Sequence, residues 1–102
     1  MNGIVIGSGI GGLAAAIRLA RKGYEVSVFE ANSYPGGKLS EKWVNAYRFD
    51  AGPSLFTLPG MVEDLFRLCE EDPGEYFSYK SLEMICKYFY EDWNHYKGMA
   101  GY

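Results

Sequence analysis

At 102 residues with a net charge of −3, the chain has room for one domain of ordinary size and too little for two of typical size. Its basic residues are scattered, which excludes a nucleic-acid footprint. Its two cysteines, Cys69 and Cys86, have no metal-ligand spacing and read as reduced, mostly buried thiols of a cytoplasmic chain.

Ile4, Val5 and Ile6 predict a short buried strand over Asn2–Ile6. The apolar stretch 3–17 lacks the basic start of a secretion signal, and it is too short and glycine-rich to cross a bilayer. A helix is expected over 11–22, with Leu13, Ala16, Ile17 and Ala20 on its buried face and Gly23 as a left-handed cap. A second strand follows over 24–30, then a loop broken by Pro35, Gly36 and Gly37. Residues 43–49 have strand-type content, with Asn45 and Ala46 as the turn of a small hairpin. From 59 to about 71, Val62, Leu65, Phe66 and Cys69 share a helical face, with Thr57 as a candidate cap and Pro59 in the first turn. Glu70, Glu71 and Asp72 at its end hint at early termination, because acidic groups oppose the dipole there. The last quarter is crowded with aromatics: Tyr76, Phe77, Tyr79, Tyr88, Phe89, Tyr90, Trp93 and Tyr96. A strand is expected over 87–91, and 93–102 shows no clear pattern.

The chemistry lies in the run Gly7-Ser8-Gly9-Ile10-Gly11-Gly12 between the first strand and the helix. Gly7 permits a tight turn, Gly9 lets a pyrophosphate reach the backbone, and Gly12 lets the helix pack closely. The pyrophosphate would rest on free amides at the positive end of the helix. Glu30 ends the second strand, where a carboxylate can accept hydrogen bonds from ribose hydroxyls. Strand, glycine turn, helix, strand and acid in this order read as a dinucleotide site rather than a chance glycine turn. The motif alone suits FAD and NAD equally, and Glu30 argues against NADP, whose extra phosphate would meet a carboxylate. Gly36, Gly37 and Lys38 extend the fingerprint with a second close backbone approach and a flexible cation. A merely solvated lysine is the alternative for Lys38. No acid–base pair and no metal cluster is evident, and His95, the one histidine, reads as a surface or turn residue.

The extension Pro35-Gly36-Gly37-Lys38 resembles the FAD-binding start of the flavin amine oxidase and phytoene desaturase superfamily. The segment 47–54, ending Asp50-Ala51-Gly52-Pro53-Ser54, and Tyr88-Phe89-Tyr90-Glu91-Asp92 are similar to carotenoid desaturases of the bacterial phytoene dehydrogenase type. The resemblance covers residues 4–92. It implies an α/β, Rossmann-type β-α-β unit with a parallel sheet, a small hairpin insertion and a further helix. It also implies that the domain is truncated, because that family is several times longer and completes its site from a C-terminal segment. Residues 1–75 would form the dinucleotide-binding region, and 76–102 would start a second, substrate-domain-like one.

The resemblance further implies roles for single residues. Gly7, Ser8, Gly9, Ile10, Gly11 and Gly12 would meet the FAD pyrophosphate, and Glu30 the adenosine ribose. Gly36, Gly37 and Lys38 would line the pyrophosphate and ribityl region. Gly52, Pro53 and Ser54 would lie near the flavin ring, or else form a tight connecting loop. In that family the flavin takes a hydride equivalent from a C–H bond while the protein binds, aligns and excludes water. A lipophilic substrate and a location peripheral to a membrane follow. Three readings remain open: a portion of such an oxidoreductase, inactive alone; a module completed by self-association through exposed aromatics; or an NAD-binding subunit, against which the Gly36-Gly37-Lys38 extension argues.

Overall fold

The computed structural model describes the backbone of residues 1–91 and 95–99 and the side chains of residues 1–91. The chain runs β1 (Asn2–Ile6), α1 (Ile10–Arg21), β2 (Glu25–Phe29), β3 (Glu41–Val44), β4 (Tyr47–Asp50), α2 (Pro59–Leu68), a single 3₁₀ turn (Pro73–Glu75), β5 (Met84–Phe89) and β6 (His95–Met99). Strands β1 and β2 pair in parallel from Asn2 against Glu25 to Ile6 against Phe29. This is the expected β-α-β unit. Strands β3 and β4 form an antiparallel hairpin, and so do β5 and β6.

Helix α1 packs on one face of the parallel pair. Ala16 and Val5 are buried there, and Leu19 and Val26 both close over Gly3. The expected buried face of α1 is therefore rotated. Leu13 and Ala20 are exposed, while Ala16 is buried and Gly12, Ile17 and Leu19 are half-buried. The cause is Gly12, where a Cβ would stand 2.0 Å from the Gly7 carbonyl oxygen. Gly12 lies directly against the end of β1, and the residues one helical period away follow it inward. Gly23, at φ 85°, ends the helix as expected. Its amide bonds to Ala20 O at 2.9 Å, and the Tyr24 amide bonds to Leu19 O at 3.2 Å, the paired bonds of a Schellman cap.

The opposite sheet face is bare. Ile4 is 70% exposed, Ile6 88% and Phe29 60%, although parallel sheets are normally covered on both faces. Among the described residues only Val5, Ala16 and Leu65 are buried hydrophobics. The shape follows, with a radius of gyration of 17.8 Å against about 13 Å for a compact domain of this length.

Helix α2 buries Leu65 and half-buries Val62, Phe66 and Cys69, as its periodicity predicts. Its N-cap is Leu58 rather than Thr57, because Pro59 already occupies the first helical position, where its missing N–H costs nothing. It stops at Leu68, short of 71, and Glu70 adopts φ 65° as its left-handed cap. The aromatic crowd divides in two. Phe77 and Tyr79 pack with Phe56, while Tyr76 and Phe77 pack on Phe66. Tyr88, Phe89 and Tyr90 are exposed at β5 and its end. Residues 95–99, expected to lack pattern, form β6 by pairing with β5. Trp93 and the side chains of His95 and Tyr96 lie outside the described residues. Both cysteines are free and half-buried.

Two glycines of α1 give a direct test of this packing. A Cβ at Gly11 would meet nothing within 4 Å. Gly12→Ala is expected to lower unfolding stability by about 3 kcal/mol through overpacking, whereas Gly11→Ala should leave it unchanged or raise it by up to about 1 kcal/mol. Urea unfolding followed by circular dichroism measures both, and equal effects would contradict the packing described.

Candidate functional site

The site is built where β1, α1 and β2 meet. Beyond Ile6 the Gly7 amide donates to Phe29 O at 2.7 Å, and Gly7 then turns the chain at φ 94°, a conformation that favours glycine. Gly9 is the N-cap of α1 and supplies no side-chain cap. Leu13 N makes the first helical bond, to Gly9 O at 2.9 Å, so the amides of Ile10, Gly11 and Gly12 precede the helical ladder. No acidic residue stands in that first turn. Added Cβ atoms at Gly9 and Gly11 would meet open space, so a phosphate has room to approach the positive end of the helix.

Glu30 closes the other side. Its Oε2 accepts from Ser8 N and Ser8 Oγ, both at 2.7 Å. Its Oε1 accepts from Asn32 N and Asn32 Nδ2, both at 2.9 Å. The Asn32 amide, then the Ser8 amide and hydroxyl, hold its carboxyl down at about 2. The group is thus a carboxylate at any physiological pH. The bonds to Ser8 reach from the end of β2 into the glycine loop across 22 residues, so one side chain sets the spacing of the two walls. Ser8 itself is buried, at 4% exposure.

The second loop sits directly on the first. Gly36 N donates to Ser8 O at 2.8 Å, and Gly36 forms an isolated parallel bridge with Gly9. A Cβ on Gly37 would lie 3.1 Å from Gly9 Cα. Gly37 thus permits the contact between the two loops, while a Cβ on Gly36 would stand 2.7 Å from the Leu39 carbonyl oxygen within its own loop. Lys38 follows on the exposed side and enters no ion pair among the described residues. Gly52 presses on Lys38, where a Cβ would stand 1.7 Å from its carbonyl oxygen. The hairpin therefore returns to the loop at Gly52.

The structure thus gathers residues 7–12, Glu30, residues 36–38 and Gly52. Pro53 and Ser54 part company. Pro53 lines an open cleft of about 850 Å³ with Tyr34, Pro35 and Trp43. Ser54 lines a separate apolar cavity of about 250 Å³ with Phe56 and Tyr79. A third cleft of about 350 Å³ lies beside Glu30, lined by Ser8, Leu13, Val28, Asn32 and Tyr34 among others. It shares Tyr34 and Pro35 with the cleft that Pro53 lines, so the two are neighbours around the second loop. Asn32 and Tyr34 were not among the residues expected here. A short polar residue just after a strand, suited to local side-chain bonding, was the only sign of Asn32. Among the described residues no group of three His, Cys, Asp or Glu is placed to hold a metal ion, and no helix is long and apolar enough to cross a membrane.

A glycine loop at a helix N-terminus, walled by a strand-end carboxylate, defines a dinucleotide-binding Rossmann unit. Residues 5–71 match the family described as NAD(P)-binding Rossmann-like domain. Over 89 residues the chain is 54% identical to 1-hydroxycarotenoid 3,4-desaturase from Flavobacterium sp. (strain P99-3), a match that covers 87% of this chain and 18% of that protein. It is 40% identical over 89 residues to 4,4'-diaponeurosporene oxygenase from Staphylococcus aureus (strain USA300), with the same coverage. A crystal structure of a Pyrococcus furiosus protein superposes with a TM-score of 0.56 at 23% identity, over 89% of this chain and 23% of that one, a likeness of fold alone. The chain belongs to the NAD(P)-binding Rossmann-like domain family, and the relatives it matches are named as a hydroxycarotenoid desaturase and a diaponeurosporene oxygenase. It spans 18% of the length of these curated relatives.

The carboxylate makes the site sensitive to acid. The carboxyl of Glu30 is held below its ordinary 4.5 in the folded state, so its stabilising effect is complete above pH 4.5 and is lost as pH falls from there toward 2. Glu41 and Glu63 are also held low, each by side-chain hydrogen bonds, but they are common to wild type and a Glu30→Gln variant. The difference between the two unfolding curves should therefore shrink between pH 4.5 and 2. A difference independent of pH would contradict the Glu30 network.

Proposed function

We propose that the chain supplies the FAD-binding part of a carotenoid desaturase-like oxidoreductase and is inactive alone. The observation that carries this reading is the seat of Gly36 and Gly37 on the Gly9 loop, with Lys38 beside it. This second wall lengthens the cradle beyond what a β-α-β unit alone provides, as a long flavin dinucleotide requires. The residues fit the group. The amides of Ile10, Gly11 and Gly12 would hold the pyrophosphate, Lys38 would balance its charge, and Glu30 would take the ribose. Gly52 would set the distance of the hairpin from that cradle, and Pro53 would border the larger cleft toward the ring. Ionised Glu30 disfavours a 2′-phosphate, which argues against NADP.

When bound, the flavin would accept a hydride equivalent from a substrate C–H bond. The relatives' names point to carotenoids, so the substrate class here is a lipophilic polyene, met at a membrane surface by a cytoplasmic, peripheral protein. Residues 1–75 form the cofactor region in this reading, and 76–102 begin the part that approaches the substrate. The bare face of Ile4, Ile6 and Phe29 favours a second reading of how the site is completed, by self-association of this chain.

One experiment tests both readings. The purified chain, incubated with excess FAD, is passed over a gel-filtration column while flavin absorbance is recorded. Flavin bands are expected to elute with the protein, at the size of a dimer or larger if self-association completes the site. A folded protein that elutes without flavin, yet retains NAD in a parallel run with that cofactor, would contradict the FAD assignment.

A further inference from the structure

Glu30 already carries four donors on its two oxygens, and a carboxylate offers about four lone-pair sites. A ribose hydroxyl therefore finds no vacant acceptor and must replace a donor. The four are not equally replaceable. Ser8 N and Asn32 N belong to the main chain. The Ser8 hydroxyl belongs to a residue only 4% exposed, so displacing it would leave a buried polar group without a partner, which is costly. The Asn32 amide, 2.9 Å from Oε1, belongs to an exposed side chain that water can satisfy when it swings away. It also lines the cleft beside Glu30.

We propose that the Asn32 side chain is a displaceable placeholder, occupying on Glu30 Oε1 the acceptor position that a ribose hydroxyl takes when an adenine nucleotide binds. The inference rests on the dinucleotide reading of the site. Binding then exchanges one hydrogen bond to a carboxylate for another, so the ribose adds little net affinity. In return all four acceptor positions of the carboxylate stay filled while the site is empty. Asn32 is a positioning residue of the empty state and a competitor of the ligand.

Calorimetric titration of the whole chain with ADP and with 2′,3′-dideoxy-ADP tests this, in wild type and in Asn32→Ala. Wild type should prefer ADP by less than about threefold, because its hydroxyl only replaces an equivalent donor. In Asn32→Ala the preference should rise to about tenfold, through tighter ADP binding with dideoxy-ADP unchanged. Three donors still hold Glu30 in that variant. Asn32→Leu, similar in shape and without a donor, should behave the same way and gives an independent reading should the alanine variant fold poorly. Weaker ADP binding in the variants with an unchanged preference would overturn the placeholder role and make Asn32 a ligand contact. Failure of wild type to bind either nucleotide would instead overturn the dinucleotide reading, and this inference with it.

Discussion

Glu30 stands at the end of β2 and accepts hydrogen bonds from two loops at once, Ser8 in the first and Asn32 in its own. Hydrogen bonds to a charged acceptor are roughly twice as strong as neutral ones, and this acceptor stays ionised down to about pH 2. Through Ser8 the carboxylate fixes the glycine loop against β2. Ser8 O in turn receives the Gly36 amide, so the second glycine loop is placed by the same residue. The order of dependence runs from carboxylate to Ser8, from Ser8 to Gly36, and from the paired loops to the open N-terminus of α1.

Glycine makes that stacking sterically feasible at three points. Gly12 meets the Gly7 carbonyl, Gly37 meets Gly9, and Gly52 meets Lys38. Each contact joins backbone to backbone, where a side chain could not yield. Gly9 and Gly11 are different, because an added Cβ would meet nothing of the protein there. The first set is required by the fold, and the second leaves space for a ligand. Around this tight centre the chain is loosely covered, with a bare sheet face and a hairpin, β3–β4, exposed along its whole length. The Arg48 pairs with Glu41 and Asp50 on that hairpin are exposed and add little to stability.

Most of the centre was legible in the sequence, because its requirements fall on backbone conformation and glycine answers them visibly. The turn at Gly7, the cap at Gly23, the hairpin turn at Asn45 and the amphipathic face of α2 were all readable for that reason. The rotation of α1 was not, since hydrophobic periodicity weighs Leu13 above Gly12 while close packing weighs them the other way. Asn32 escaped because a single polar side chain reaching back two residues leaves no periodic trace. Strand β6 escaped because its pairing with β5 is a tertiary matter that local composition does not encode. Ser54 is adjacent to Gly52 in sequence, yet Gly52 packs on the Lys38 carbonyl while Ser54 lines a separate cavity with Phe56 and Tyr79.

In the proposed reading, two stacked glycine loops, spaced by Glu30, form one nucleotide cradle. Amide chemical shifts of the ¹⁵N-labelled chain, followed during an FAD titration, test it most directly. The amides of residues 8–12, 32 and 36–38 are expected to move together along one binding curve, while those of α2 and the β3–β4 turn stay still. Shifts confined to the first loop, or centred on the aromatic group around Phe56 and Phe77, would contradict it.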